Sequence, residues 1–88
     1  MKQYKSFVKE FLAEYVGALR KNRKLTQEEM AERLRITGRA YGDLERGKYC
    51  FSALALLFLL LMLSEEEIQD FLEKLRKQAH ELEHREVA

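Results

Sequence analysis

Hydrophobic residues near the start of the chain recur at the spacing of a helix. They alternate between intervals of three and one, which places them on one helical face over about four turns. They are Tyr4, Phe7, Val8, Phe11, Leu12, Tyr15, Val16 and Leu19. The cations of residues 20–24 follow at the end where a helix dipole favours positive charge. The pattern therefore predicts one long first helix.

Two shorter helices are predicted from their capping residues. Thr26 is followed three residues later by Glu29, which is the spacing of a capping box. The helix that begins there would bury the apolar positions of residues 30–34. Thr37 can cap a third helix, and Gly47 is a natural residue to end it.

Eleven consecutive apolar residues, 53–63, predict a fourth helix that is covered on most sides. This run is shorter than the roughly 18–20 residues that cross a bilayer, so we expect no membrane span. Ser64 and Glu67 form a second capping box at the start of a long last helix. Its apolar stripe is Ile68, Phe71, Leu72, Leu75, Ala79 and Leu82. The prediction is an all-α fold.

Length and composition suit a single folded domain spanning residues 1–88, with 47% hydrophobic and 35% charged residues. The one cysteine, Cys50, cannot form an internal disulfide, and the first residues lack the apolar core of a signal peptide. We therefore expect a cytoplasmic protein.

Charge is unevenly distributed along the chain. Residues 1–51 contain twelve Lys or Arg against seven Asp or Glu, and the remainder contains four against eight. Such segregation predicts a polyanionic partner for one face.

Residues 19–48, LRKNRKLTQEEMAERLRITGRAYGDLERGK, resemble the phage-repressor/Cro (Xre-type) helix-turn-helix family. The similarity extends over about residues 13–63. It implies a compact five-helix domain of the lambda-repressor-like type. The first helix is extended by residues 1–12, and a long C-terminal helix covers residues 64–85.

The resemblance also implies roles for individual residues. In this family the third helix enters the major groove and the second crosses the DNA backbone. The residues implied to contact DNA are Gln27, Thr37, Gly38, Arg39, Gly42, Asp43, Lys48 and Tyr49. Arg39 is the best candidate for a bidentate contact with guanine, and Asp43 could accept from cytosine. Arg20 and Glu45 occupy positions of a structural ion pair between the first and third helices.

Departures from the family pattern concern the backbone and the fourth helix. The family usually has glycine at the positions of Lys24 and Arg35, where a left-handed conformation would cost these residues on the order of 1 kcal/mol each. It usually has polar residues at three positions that are apolar here, which are Leu54, Phe58 and Leu61. Either the last helix, through Phe71 and Leu75, covers this stripe within one chain, or a second subunit does. We expect both an intrachain cover and a homodimer that forms through the C-terminal helices.

These features predict a sequence-specific regulator of transcription, a repressor of phage, mobile-element or toxin–antitoxin type. It would bind duplex DNA at an inverted repeat as a homodimer. The alternative is a protein-interaction module of the same fold, an antitoxin or the partner of a regulatory protein, with weak or no DNA reading. No phosphate-binding loop or nucleophile elbow is present, so we expect neither an enzyme nor a cofactor. His80 and His84 have a metal-binding spacing but no third ligand, so we expect no metal site.

Overall fold

The computed structural model describes residues 3–87 and contains five helices. They are α1 (Gln3–Asn22), α2 (Gln27–Leu34), α3 (Gly38–Glu45), α4 (Ala53–Leu61) and α5 (Glu65–Val87). No strand occurs within the described residues. The predicted all-α, five-helix fold is confirmed.

The capping residues identified in the sequence start the helices where they were expected to. The Thr26 hydroxyl accepts a hydrogen bond from the Glu29 amide at 3.0 Å, and the Glu29 carboxylate accepts one from the Thr26 amide at 2.8 Å. Ser64 and Glu67 form the same reciprocal pair at 3.1 and 2.9 Å before α5. Thr37 caps α3. Each cap satisfies amides that the helix itself cannot pair.

The first three helices all end in a Schellman motif, in which two amides beyond the helix bond back to carbonyls of its last turn. The motif needs one residue in the left-handed conformation. That residue is Lys24 after α1 (φ 57°), Arg35 after α2 (φ 63°) and Gly47 after α3 (φ 75°). Lys24 and Arg35 thus adopt the strained conformation in which glycine is usual.

The core lies where α1, α2, α3 and α4 meet. Its fully buried side chains come from all four helices and are Val16, Met30, Leu34, Tyr41 and Leu59. Ala31 of α2 is also buried, and the most extensive contact between two helices is that of α2 with α3.

The last helix runs antiparallel to α1. Near one end, Arg23 donates to the Met62 carbonyl at 2.9 Å and also pairs with Glu67. In the middle, the ring of Phe71 packs edge-on against Tyr15 with centroids 4.8 Å apart. At the other end, the Tyr4 hydroxyl donates to Glu83 at 2.8 Å. The N-terminal extension therefore serves as the surface on which α5 packs.

The expected cover of α4 by α5 is wrong. Leu54, Leu57 and Leu61 are 61%, 58% and 77% exposed, so α4 is not covered on most sides. Arg23 anchors the start of α5 to the end of α1, and the single apolar stripe of α5 then follows α1. An amphipathic helix has one such stripe to bury, so little of it remains for α4.

Replacing Phe71 by alanine should lower the free energy of unfolding by about 3–5 kcal/mol, because its ring is 4% exposed and fills the contact between α5 and α1. Urea denaturation followed by circular dichroism measures this. Leu72→Ala, at an exposed neighbouring position of the same helix, is the matched control and should cost much less. Equal losses in the two variants would contradict the described packing of α5.

Candidate DNA-binding site

Helix α3 is held in position by a partly buried polar network that it shares with α1 and α2. Arg20 of α1 forms a two-pronged ion pair with Glu45 of α3, with Nε–Oε2 2.8 Å and Nη2–Oε1 3.1 Å. The Tyr41 hydroxyl donates to the same carboxylate. The Gln27 amide nitrogen of α2 donates to it at 2.8 Å. One carboxylate thereby joins the three helices.

These contacts perturb the ionisation of Glu45 and Tyr41. Burial by itself raises the pKa of Glu45, but hydrogen bonds from Arg20, Tyr41 and Gln27 outweigh it and lower the pKa to about 2. Burial, together with the hydrogen bond to Glu45, raises the pKa of the Tyr41 hydroxyl well above its ordinary value. The network therefore holds Glu45 charged and Tyr41 neutral.

Gln27 lies at the exposed start of α2 with its amide nitrogen already bound to Glu45. Its amide oxygen points toward α3, because a Cβ placed on Gly42 would lie 3.9 Å from it. With both polar atoms of its amide turned toward α3, Gln27 braces the neighbouring helix.

The four positions expected to face the groove differ in their accessibility. Arg39 is exposed and projects the one long side chain among the four. Gly38 is half-buried against Glu28, whose carboxylate oxygen would lie 2.7 Å from a Cβ at that position. Gly42 and Asp43 are buried.

Asp43 is less accessible than the expected contact with cytosine would require. Its side chain is only 13% exposed and forms an ion pair with Arg46, three residues further along. The guanidinium of Arg46 also covers Gly42, since a Cβ placed there would lie 3.3 Å from Nη1. A base could not reach the Asp43 carboxylate without displacing Arg46.

The remaining residues implied to contact DNA lie at the two ends of α3. Thr37 is exposed, and its hydroxyl accepts from the Ala40 amide at 3.0 Å as the helix cap. Lys48 and Tyr49 are both exposed in the turn that follows α3. The Lys48 ammonium lies 5.7 Å from the centre of the Tyr49 ring. Thr37, Lys48 and Tyr49 are thus on the surface at the two ends of α3.

Arg46 is the residue of this surface that the sequence analysis missed. Its distance of seven residues from Arg39, or two helical turns, was the available signal, because residues so spaced share a helix face.

The residues predicted for a subunit or helix interface divide into two groups. Leu54 and Leu61 are exposed on α4, and Phe58 is half-buried between them, with the Arg35 guanidinium 4.6 Å from its ring centre. Phe71 is instead buried against α1, and Leu75 of α5 is half-buried beside the core. Only the α4 group is therefore open to a second molecule.

The two histidines of α5 lie close together, with ring centres 4.6 Å apart. Within the described part of the chain, no group of three or more His, Cys, Asp or Glu is arranged to hold a metal ion. Among the same residues, no helix is both long and apolar enough to cross a membrane.

A family profile for helix-turn-helix domains matches residues 16–63, which is more than half of the chain. The chain belongs to this family, of the Xre or lambda-repressor-like type. It thus carries the domain of a DNA-binding helix-turn-helix regulator. No curated protein and no solved structure gives a significant match.

In the variant Glu45→Gln, the free energy of unfolding should fall less in acid than it does in the wild-type protein. The pKa of Glu45 is about 2 in the folded protein against 4.5 ordinarily, so its ionised form stabilises the fold above about pH 4.5. That contribution is lost as the pH falls from there towards 2. Between these pH values, wild-type should lose about 2–3 kcal/mol more than the variant.

Denaturant titrations at a series of pH values provide the measurement. Glu73→Gln removes an exposed carboxylate of α5 and should leave the wild-type pH dependence intact. The described network would be refuted if Glu45→Gln retained the full wild-type slope in this range.

Proposed function

We propose that this protein is a transcriptional repressor that binds an inverted-repeat operator in duplex DNA as a homodimer. The observation that carries the proposal is the exposed Arg39 on the outward face of α3, the helix that Glu45 anchors to the core. The excess of cations within residues 1–51 favours a polyanionic partner on this side.

In this proposal α3 enters the major groove and α2 crosses the backbone. Arg39 donates two hydrogen bonds to the O6 and N7 atoms of a guanine. Lys48 and Tyr49 contact phosphates beyond the helix, and the exposed Thr37 hydroxyl does so at its start. Gly38 offers no side chain of its own between the backbone of α3 and the DNA.

Arg39→Ala should weaken specific binding by about 1–3 kcal/mol and relax the preference at one base pair in each half-site. The reason is that only a base contact carries sequence information. Selection from a random duplex library, followed by titration of the enriched operator, measures both effects.

Lys48→Ala is the matched control, because it removes a cation from the same surface outside the helix. It should weaken binding to all sequences alike and reduce the dependence of affinity on salt. Unchanged operator preference in Arg39→Ala would show that this residue does not read a base.

The proposed homodimer rests on α4. Leu54, Leu57 and Leu61 stand exposed along nine residues of helix, and a monomer rarely leaves so apolar a surface open. Two copies joined through α4 would have to place their α3 helices about 34 Å apart in order to read successive half-sites. We expect the interface to bury on the order of 1,200–2,000 Å².

Leu61→Glu should convert a dimer into a folded monomer, because the side chain is exposed and its replacement puts a charge into the proposed interface. Light scattering at micromolar concentration measures the mass, and circular dichroism checks the helix content. Leu72→Glu, on an exposed part of α5, should leave the mass unchanged. A monomeric wild-type protein that still binds its operator tightly would rule out the dimer.

The exposed α4 leucines also favour a second candidate function, a protein-interaction module of the same fold. A groove of about 270 Å³ beside them is lined by Arg33, Arg35, Phe58, Leu61 and Met62. It combines apolar and cationic groups, as a protein-binding surface would. Failure of the wild-type protein to enrich any duplex from the random library would favour this function over the repressor.

A further inference from the structure

The pair formed by Asp43 and Arg46 differs from an ordinary surface salt bridge. Asp43 is largely buried, whereas the Arg46 side chain is 65% exposed. Arg46 is the cap residue at the end of α3 and still has helical backbone angles. Its side chain therefore lies on the same face of the helix as Arg39, Gly42 and Asp43. A buried carboxylate thus holds an exposed guanidinium on the outward face of α3.

Gly42 makes room for this arrangement. A Cβ placed on Gly42 would lie 3.3 Å from Nη1 of Arg46, closer than most such contacts, so a larger residue would push the guanidinium away. Arg46 therefore lies back over the preceding turn of α3. Its guanidinium is held both by the Asp43 carboxylate and by the glycine surface below it.

We propose that Arg46 is a second base-reading residue, for a guanine, and that Asp43 is the residue that positions it. The inference rests on the proposed binding of duplex DNA. A guanidinium has five donor hydrogens, so one that pairs with Asp43 keeps others for the O6 and N7 acceptors of guanine. Because Arg46 neutralises Asp43, this carboxylate no longer opposes the phosphates.

The spacing of the two arginines sets where the second contact falls. Arg39 and Arg46 are seven residues apart, which is about 10.5 Å along a helix axis. The Arg46 guanidinium lies back over Gly42, so the two guanidinium groups are separated by less than this distance along the helix. The rise of B-DNA is about 3.4 Å per base pair, so the two contacts should fall within about three base pairs of each other.

The test is selection from a random duplex library with the wild-type protein and with variants at Arg46. Arg46→Ala should weaken binding to the preferred operator about 10- to 100-fold. It should relax one base pair per half-site, a different one from that relaxed by Arg39→Ala and within about three pairs of it. Arg46→Lys keeps the charge but not the planar fork, so it should weaken the same preference less than Arg46→Ala does and keep the wild-type salt dependence.

Asp43→Asn and Asp43→Ala test the positioning role. Both should weaken the preference at the base pair assigned to Arg46 while leaving the one assigned to Arg39 intact, a selective change that general destabilisation would not produce. Thermal melting confirms that each variant is folded at the assay temperature. The exposed Arg46 variants test the contact itself should an Asp43 variant not fold.

The outcomes separate this inference from the proposed function. If the wild-type protein enriches an operator and Arg46→Ala weakens all sequences equally, Arg46 contacts phosphate alone and the inference is wrong, while the repressor proposal stands. If the wild-type protein enriches no duplex, both proposals fail.

Discussion

The arrangement of the first three helices depends on the carboxylate of Glu45. It accepts hydrogen bonds from Arg20 of α1, Gln27 of α2 and Tyr41 of its own helix, so that one charged group sets the position of α3 relative to its neighbours. Because the group is largely shielded from water, removing a donor leaves a charge that solvent can compensate only in part. The same contacts fix the orientation of α3 relative to the core.

This anchoring matters because α3 has little stability of its own. It is eight residues long and contains Gly38 at its start and Gly42 in its interior, where glycine costs roughly 0.5–1 kcal/mol relative to alanine. The left-handed Lys24 and Arg35 add further conformational cost at the ends of the two preceding helices. Packing of Tyr41, the Thr37 cap and the Glu45 network offset these costs. The glycines in turn leave space on the outward side that Glu28 and Arg46 occupy.

Much of the fold could be predicted because its signals are local. Thr26 with Glu29 and Ser64 with Glu67 lie within one turn of each other, so a capping box depends on a few neighbouring residues. Apolar spacing likewise predicted the long α1, since a helix face is set by intervals along the chain. At the site, the exposure of Arg39 and Lys48 agrees with the roles that the family resemblance implies. The pairing of Arg20 with Glu45 was also implied by the resemblance.

Other features were decided only by the tertiary structure. The apolar stripe of α5 suited either α1 or α4, and the choice came from Arg23, whose bonds to Met62 and Glu67 direct α5 along α1. The burial of Asp43 beneath Arg46 depends on how a flexible side chain folds over Gly42. By itself the sequence determined which segments are helical, where they begin and end, and which faces are apolar, because these depend on neighbouring residues. The choice of partner for each face, and the direction of each long polar side chain, required the three-dimensional structure because several pairings satisfy the same local pattern.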